Sequence, residues 1–282
     1  MLLYDEDRMN NKLNDDRKSD VMIYVMVLLI CFFASIVGAI CGIGGGVIIK
    51  PVLDAFGIMS VSAISFLSGC TVLSMTTYSV IKSKMSGASK INQKTGFPLA
   101  MGAAVGGIVG KNLFQIIKNM SSDPDRVGAV QAACLLVVTL GTLIYTIKKH
   151  QIKTYQIESA LVCVGIGVVL GIMSSFLGIG GGPINLVVLF FFFSMDTKTA
   201  AENSLYIIFF SQLASLIVSL VTRTVPEISI GMLILMVCGG IAGGAAGRKV
   251  NKKIDEPTVD KLFMGLMVVI ILINVYNIYK FM

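Results

Sequence analysis

Apolar residues in this chain come in long blocks and do not alternate with polar ones. Runs free or nearly free of charge cover Val21–Ile49, Val61–Ile81, Val127–Ile147, Ser159–Met195, Ser204–Thr222 and Ile228–Gly247. About 20 apolar residues suffice for a helix to cross the hydrocarbon core, whereas a barrel strand would alternate, so the pattern predicts membrane-spanning helices. Cut at its polar breaks, the chain predicts ten hydrophobic segments. The first five are Val21–Cys41, Val47–Met59, Val61–Ile81, Phe97–Ile117 and Val127–Ile147. The second five are Ile157–Leu177, Pro183–Met195, Thr199–Val221, Ile228–Ala246 and Leu262–Ile278.

These two sets match each other in order. Gly42-Ile43-Gly44-Gly45-Gly46 returns residue for residue as Gly178-Ile179-Gly180-Gly181-Gly182. With the strings superposed, Ile48 meets Ile184, Val52 meets Val188, Leu53 meets Leu189, Met59 meets Met195 and Ser68 meets Ser204. After a one-residue offset, Gly102, Gly106 and Gly110 meet Gly239, Gly243 and Gly247, each series followed by a basic residue, Lys111 or Arg248. An ordered series of this kind is the signature of internal duplication. The fold expected is an all-α polytopic membrane protein with two homologous repeats of about five hydrophobic helices. Residues 1–20 form a polar tail, 21–147 the first repeat, 148–158 a polar linker and 159–282 the second repeat, in one integral membrane unit. Five crossings per half would invert the second repeat and four would leave it parallel; inverted repeats are the expectation. If all ten segments cross, the basic loops Lys82–Lys94, Lys148–Lys153 and Arg248–Lys261 share one side.

The second segment of each half is too short to span. About 13 residues of helix rise ~20 Å against a core of ~30 Å. Paired short or Gly/Pro-interrupted segments are a sequence pointer to a transporter binding site. The glycines ahead of each short helix do not fit nucleotide loops: Val47 or Pro183 stands where G-x-G-x-x-G needs its third glycine, and Lys50 precedes Pro51 without a P-loop frame. Pro183 suits the first turn of a new helix, which leaves the glycine amides as unpaired donors at a helix N-terminus. Two such termini would make an anion cradle from Gly44, Gly45, Gly46, Gly180, Gly181 and Gly182. The alternative is that the glycines only let helices pack closely. For the i, i+4, i+8 series Gly102/Gly106/Gly110 and Gly239/Gly243/Gly247, close packing is the expectation.

Composition narrows the class further. Of 282 residues 55% are hydrophobic and 14% charged, with a net charge of +7. The basic residues are scattered through loops, which suits orientation in a membrane and not nucleic-acid binding. The N-terminal twenty residues mix acids and bases, unlike a cleaved signal peptide. Six cysteines lie in or beside apolar runs without a CxxC pair, and are expected to be small buried hydrophobes. No catalytic triad, carboxylate pair, metal cluster or cofactor motif is apparent, so no enzyme, metal or cofactor is expected.

Polar residues near the breaks are the remaining candidates. Lys50 lies one turn into the first short helix, either as a functional intramembrane cation or snorkelling to the interface. Ser68, Asn203 and Ser204 near the start of each third helix, and Gln212 deeper in, could bind substrate oxygens or join helices. Glu202 is expected at a solvated helix end and His150 in an exposed loop.

The doubled G-I-G-G-G, each followed by a short apolar helix, with Pro51-Val52-Leu53 in the first copy, resembles the TauE/SafE family of sulfite-exporter-like permeases. The similarity runs from about Val21 to the C-terminus and includes the later Gly-Gly-x-x-Gly ahead of Lys111 or Arg248. The resemblance implies a secondary transporter of small anions, often sulfur-containing, such as sulfite or sulfonates like sulfoacetate, in a bacterial or archaeal type of inner membrane. Where family members often carry Gly-Thr-Ser at the third helix, this chain has Leu67-Ser68-Gly69 and Glu202-Asn203-Ser204. The expected function is a permease moving a small anion by alternating access, its partners being that anion and the bilayer; a homo-oligomer is compatible with this. A channel or carrier for another solute, and a non-transporting membrane subunit, are the rival readings.

Overall fold

The structure, a computed structural model, describes residues 2–87, 89–120 and 124–281. It holds ten α-helices and, among the described residues, no strand: α1 (Leu2–Cys41), α2 (Gly46–Phe56), α3 (Val61–Met85), α4 (Gln93–Met120), α5 (Pro124–Lys148), α6 (Ala160–Leu177), α7 (Pro183–Phe193), α8 (Thr197–Val221), α9 (Ile230–Asn251) and α10 (Glu256–Phe281). Eight are long and apolar enough to cross a membrane. The other two, α2 and α7, have 11 residues each, about 16 Å of helix. Large apolar side chains such as Val137, Leu161 and Val169 point outward, as lipid as solvent requires. The polar tail is continuous with the first span in α1; Met1, and the exposure of His150, lie outside the described residues.

Helix ends follow local chemistry. Ser60 caps α3 by accepting from the Ala63 amide at 3.3 Å, and Asp196 caps α8 by accepting from the Thr199 amide at 2.8 Å. Left-handed Gly57 ends α2, its amide bonded to the Leu53 carbonyl. All three basic stretches expected in loops are partly helical instead. The helix α9 continues through Arg248 and Lys249, where intrahelical bonding is cheaper than an unpaired backbone near the membrane, and α10 starts at Glu256.

The glycine series pack helices from opposite halves. On α4, a Cβ at Gly102, Gly106 or Gly110 would overlap the carbonyls of Val164, Val168 or Ile172 on α6. On α9, a Cβ at Gly243 or Gly247 would overlap the carbonyls of Phe32 and Ile36 on α1. The small-residue stripes therefore do what their spacing predicts, bringing two backbones into contact. Cysteines are less uniform than expected: Cys31, Cys41 and Cys163 are buried, but Cys238 is exposed on the outer face of α9.

Contacts at helix ends give each helix a direction. Tyr24 in α1 meets Ser229 at the start of α9, and Asn251 at the end of α9 donates to the Ile40 carbonyl at the end of α1, so these two run parallel. The pair α4 and α6 is parallel by its glycine register. In contrast α5 and α10 are antiparallel, joined by Lys149–Asp260 at one end and with Gly128 against Phe281 at the other. We call the end holding Tyr24 face one and the end holding Ile40 face two. Every long helix of the second half runs opposite to the helix it superposes on in the first. The stretches Lys82–Lys94, Lys148–Lys153 and Arg248–Lys261 all fall on face two.

Candidate substrate site

The two glycine strings cross at the centre of the molecule. A Cβ on Gly46 would overlap the carbonyl oxygen of Ile179, and one on Gly44 would stand 3.8 Å from that of Gly180. Val72 of α3 presses on Gly44 and Gly180, and Ile208 of α8 presses on Gly181. Val72 and Ile208 belong to one buried cluster with Ala39, Met75 and Leu205.

The strings differ in backbone despite identical residues. Gly45 is right-handed (φ −67°, ψ −19°) and caps α2, with Gly46 already inside the helix. Gly182 is held at φ 69°, ψ −153°, and α7 begins only at Pro183. Pro183 excludes the α region for the residue before it, so Gly182 cannot join the helix as Gly46 does ahead of Val47. Gly181, at φ 111°, takes a conformation that side-chain-bearing residues rarely adopt. Among the described residues, the amides of Gly44, Gly45, Gly180, Gly181 and Gly182 donate to no acceptor.

Unpartnered side chains gather at the same level. Ser68 and Ser204, fully buried, sit one turn before Val72 and Ile208 and have no hydrogen-bond partner. Ser35, against Gly45, is likewise unpaired. Asn185 of α7, 1% exposed, lies against Gly181 with both amide atoms unpartnered. Asn185 was not among the sequence candidates; the signal for it is that no other polar residue occurs between Pro183 and Phe193.

The other candidates lie elsewhere. Lys50 neither snorkels nor stands alone: it is 3% exposed and paired at 2.6 Å with Asp54, one turn on. Asn203 donates to the carbonyls of Lys90 and Thr199, tying α8 to the α3–α4 connection. Glu202 is less solvated than expected, accepting from the hydroxyls of Ser83 and Ser89 and from the Lys90 amide. Gln212 donates to the Ser174 hydroxyl at 3.1 Å.

Two cavities flank the strings. On face two a vestibule of about 320 Å³ is lined by Ala39, Ser79, Lys198, Glu202, Arg248 and Lys252. Arg248 is held there by the Ser79 carbonyl at 2.9 Å. Just outside the spans, Asp196 feels some desolvation, but the hydroxyl and amide of Thr199 and the Lys90 charge outweigh it and hold its carboxyl below the usual range. On the face-one side, a pocket of only about 30 Å³ is lined by Ser65, Lys111, Gln131, Ser175, Gln212 and Gly178. Among the described residues no group of acids, cysteines or histidine could hold a metal.

Crossed glycine breaks, two half-length helices and eight spans are the frame in which the comparisons with known proteins fall. The family described as sulfite exporter TauE/SafE matches residues 27–273. This chain belongs to the TauE/SafE family. A Bacillus subtilis (strain 168) protein described as "probable membrane transporter protein YunE" is 24% identical over 214 residues, covering 68% of this chain and 76% of that protein. No solved structure matches. As a TauE/SafE protein the chain is a multi-pass membrane transporter.

Proposed function

We propose that the chain is a secondary permease for small anions, sulfur oxyanions or organosulfonates such as sulfite or sulfoacetate, working by alternating access between two inverted repeats. The observation that carries this reading is the buried, unpartnered set at the crossing: the glycine amides, the Ser68 and Ser204 hydroxyls and the Asn185 carboxamide. Buried polar groups are normally paired, and groups left open in a native interior call for water or a ligand. The donors outnumber the acceptors and carry no carboxylate, which suits an anion. Half-helix N-termini aimed at the same point add their positive dipole ends.

The opposed directions of superposing helices, and the unequal cavities on the two faces, support a carrier with one side open. Val72 and Ile208 would then be the barrier between the cavities. By the positive-inside rule the three basic stretches favour a cytoplasmic face two and an external N-terminus, against the four basic residues of the N-terminal tail.

Sulfite flux in proteoliposomes tests the site. Replacing Gly45 and Gly181 together by Val is expected to abolish flux while leaving membrane insertion intact. Wild-type flux by that double variant would overturn the glycine site.

A further inference from the structure

Among the described residues, the face-one pocket holds a cation with no counter-charge. Lys111 is 8% exposed, and among the described residues it has no carboxylate partner and no hydrogen bond; its ammonium stands 5.5 Å above the Phe114 ring. Lys118, two turns further along α4, is half-buried and also lacks a partner among the described residues, but it is not in the pocket; the other buried or half-buried lysines are satisfied. Lys50 has Asp54, Lys149 has Asp260, and Lys280 has the Asp54 and Ala55 carbonyls that end α2. An unpaired cation inside a membrane protein is costly and is functional by default.

Its surroundings are open too. Ser65, 8% exposed, has an unpartnered hydroxyl in the pocket wall, and Gln131, 2% exposed, has an unpartnered carboxamide oxygen. The other end of Gln131 donates to the Phe176 carbonyl at 2.6 Å, fixing the end of α6 just ahead of Gly178. The pocket therefore offers an ammonium and hydroxyl donors and no acid, set against the second glycine string.

The same pocket is built twice. Superposing the strings lays Ser215 on Ser79, Ser65 on Ala201 and Ser175 on Ala39, and the one-residue offset of the glycine series lays Lys111 on Arg248; these residues line the face-one pocket and the face-two vestibule respectively. One copy is roomy at about 320 Å³; the other, about 30 Å³, holds roughly one water.

We infer that the Lys111 pocket is a second anion station on the transport path, the face-one counterpart of the Arg248 vestibule, closed in this conformation and opening as the vestibule closes. Its ligand class is a small oxyanion or a sulfonate head group. The inference rests on the permease reading, and its test separates the two.

Wild type, Lys111→Gln and Lys111→Arg are compared for sulfite binding by thermal shift and for sulfite flux. Loss of one charged donor should weaken sulfite binding about tenfold or more in Lys111→Gln, and Lys111→Arg should restore most of it. Cys70 lines the pocket and reports its opening. In a variant keeping Cys70 as its sole cysteine, an impermeant sulfonate-bearing methanethiosulfonate added at face one should react about fivefold faster than its trimethylammonium analogue, and Lys111→Gln should erase that preference. Unchanged sulfite affinity in Lys111→Gln, or a Cys70 that stays unreactive from face one while sulfite flux continues, overturns the second station and leaves the permease reading standing. A wild type that neither binds nor moves sulfite overturns both.

Discussion

Gly42–Gly46 and Gly178–Gly182 carry the same five residues, yet α2 absorbs the last glycine of its string while α7 starts after it. The divergence continues along the half-helices. The first carries a buried Lys50–Asp54 pair; the superposing positions in the second are Leu186 and Phe190, and its one polar side chain is Asn185, where the first has Ile49. The comparison teaches that duplication has kept the backbone break and let the chemistry on either side of it drift apart. A near-symmetric frame can alternate between two faces, while unequal side chains decide what each face binds and how firmly each half-helix is held.

The difference can be broken from its strongest point. Removing Asp54 alone (Asp54→Leu) would strand the Lys50 charge in a buried site, and about 3–5 kcal/mol of stability should be lost. The double change Lys50→Leu with Asp54→Phe, which copies the second half-helix, should recover most of that loss, read as the thermal midpoint of the detergent-purified protein. Sulfite flux then decides the role of the pair. Retained flux in the double variant makes it structural, and lost flux in a stable double variant makes it part of transport.

A smaller effect is expected at the proline. Pro183→Val copies the first string, frees Gly182 to enter the helix, and should cost about 1 kcal/mol through the more flexible unfolded chain. Faster amide exchange confined to Gly180–Asn185 would show the change; exchange identical to wild type would mean that crossing contacts, and not the proline, hold the string open.

The caps give the smallest test. Ser60 and Asp196 occupy superposing positions, and each Ala substitution should cost about 0.5–2 kcal/mol, Asp196 more than Ser60 because it also accepts from the Thr199 hydroxyl at 2.7 Å. Only the Asp196 contribution should depend on pH. Its carboxyl is held below the ordinary value, so its stabilisation is present above that ordinary value and fades as pH falls through the lowered one. Equal pH profiles for Asp196→Ala and wild type would refute this.

Much of the frame is legible without coordinates. Run length finds the helices, and three-residue glycine clusters, which cannot lie on one helix face, find the breaks. Glycines four apart identify the seams between α4 and α6 and between α1 and α9. The side chains of the site were harder to read. Lys50 stands out in the sequence as a lone intramembrane cation, but the i+4 spacing to Asp54 alone suggests the pair that the fold makes. Lys111 stands in the sequence only as the residue after a glycine series within the fourth apolar segment, and nothing local shows that it faces Phe114 and Gln131 and not lipid headgroups. Asn185 gained its meaning from Gly181 in the fold, where the carboxamide is turned onto the crossing.

The parallel pairing of α1 with α9 has a consequence for how the protein is made. The face of α1 at Phe32 and Ile36 is covered only when Gly243 and Gly247 emerge, roughly 200 residues later. At about 5–20 residues per second, α1 waits on the order of ten to forty seconds in the bilayer with its docking groove unfilled. The first half is thus a ward of the membrane machinery until the ribosome has nearly finished, and a chain stopped after α8 leaves that groove open to any passing helix.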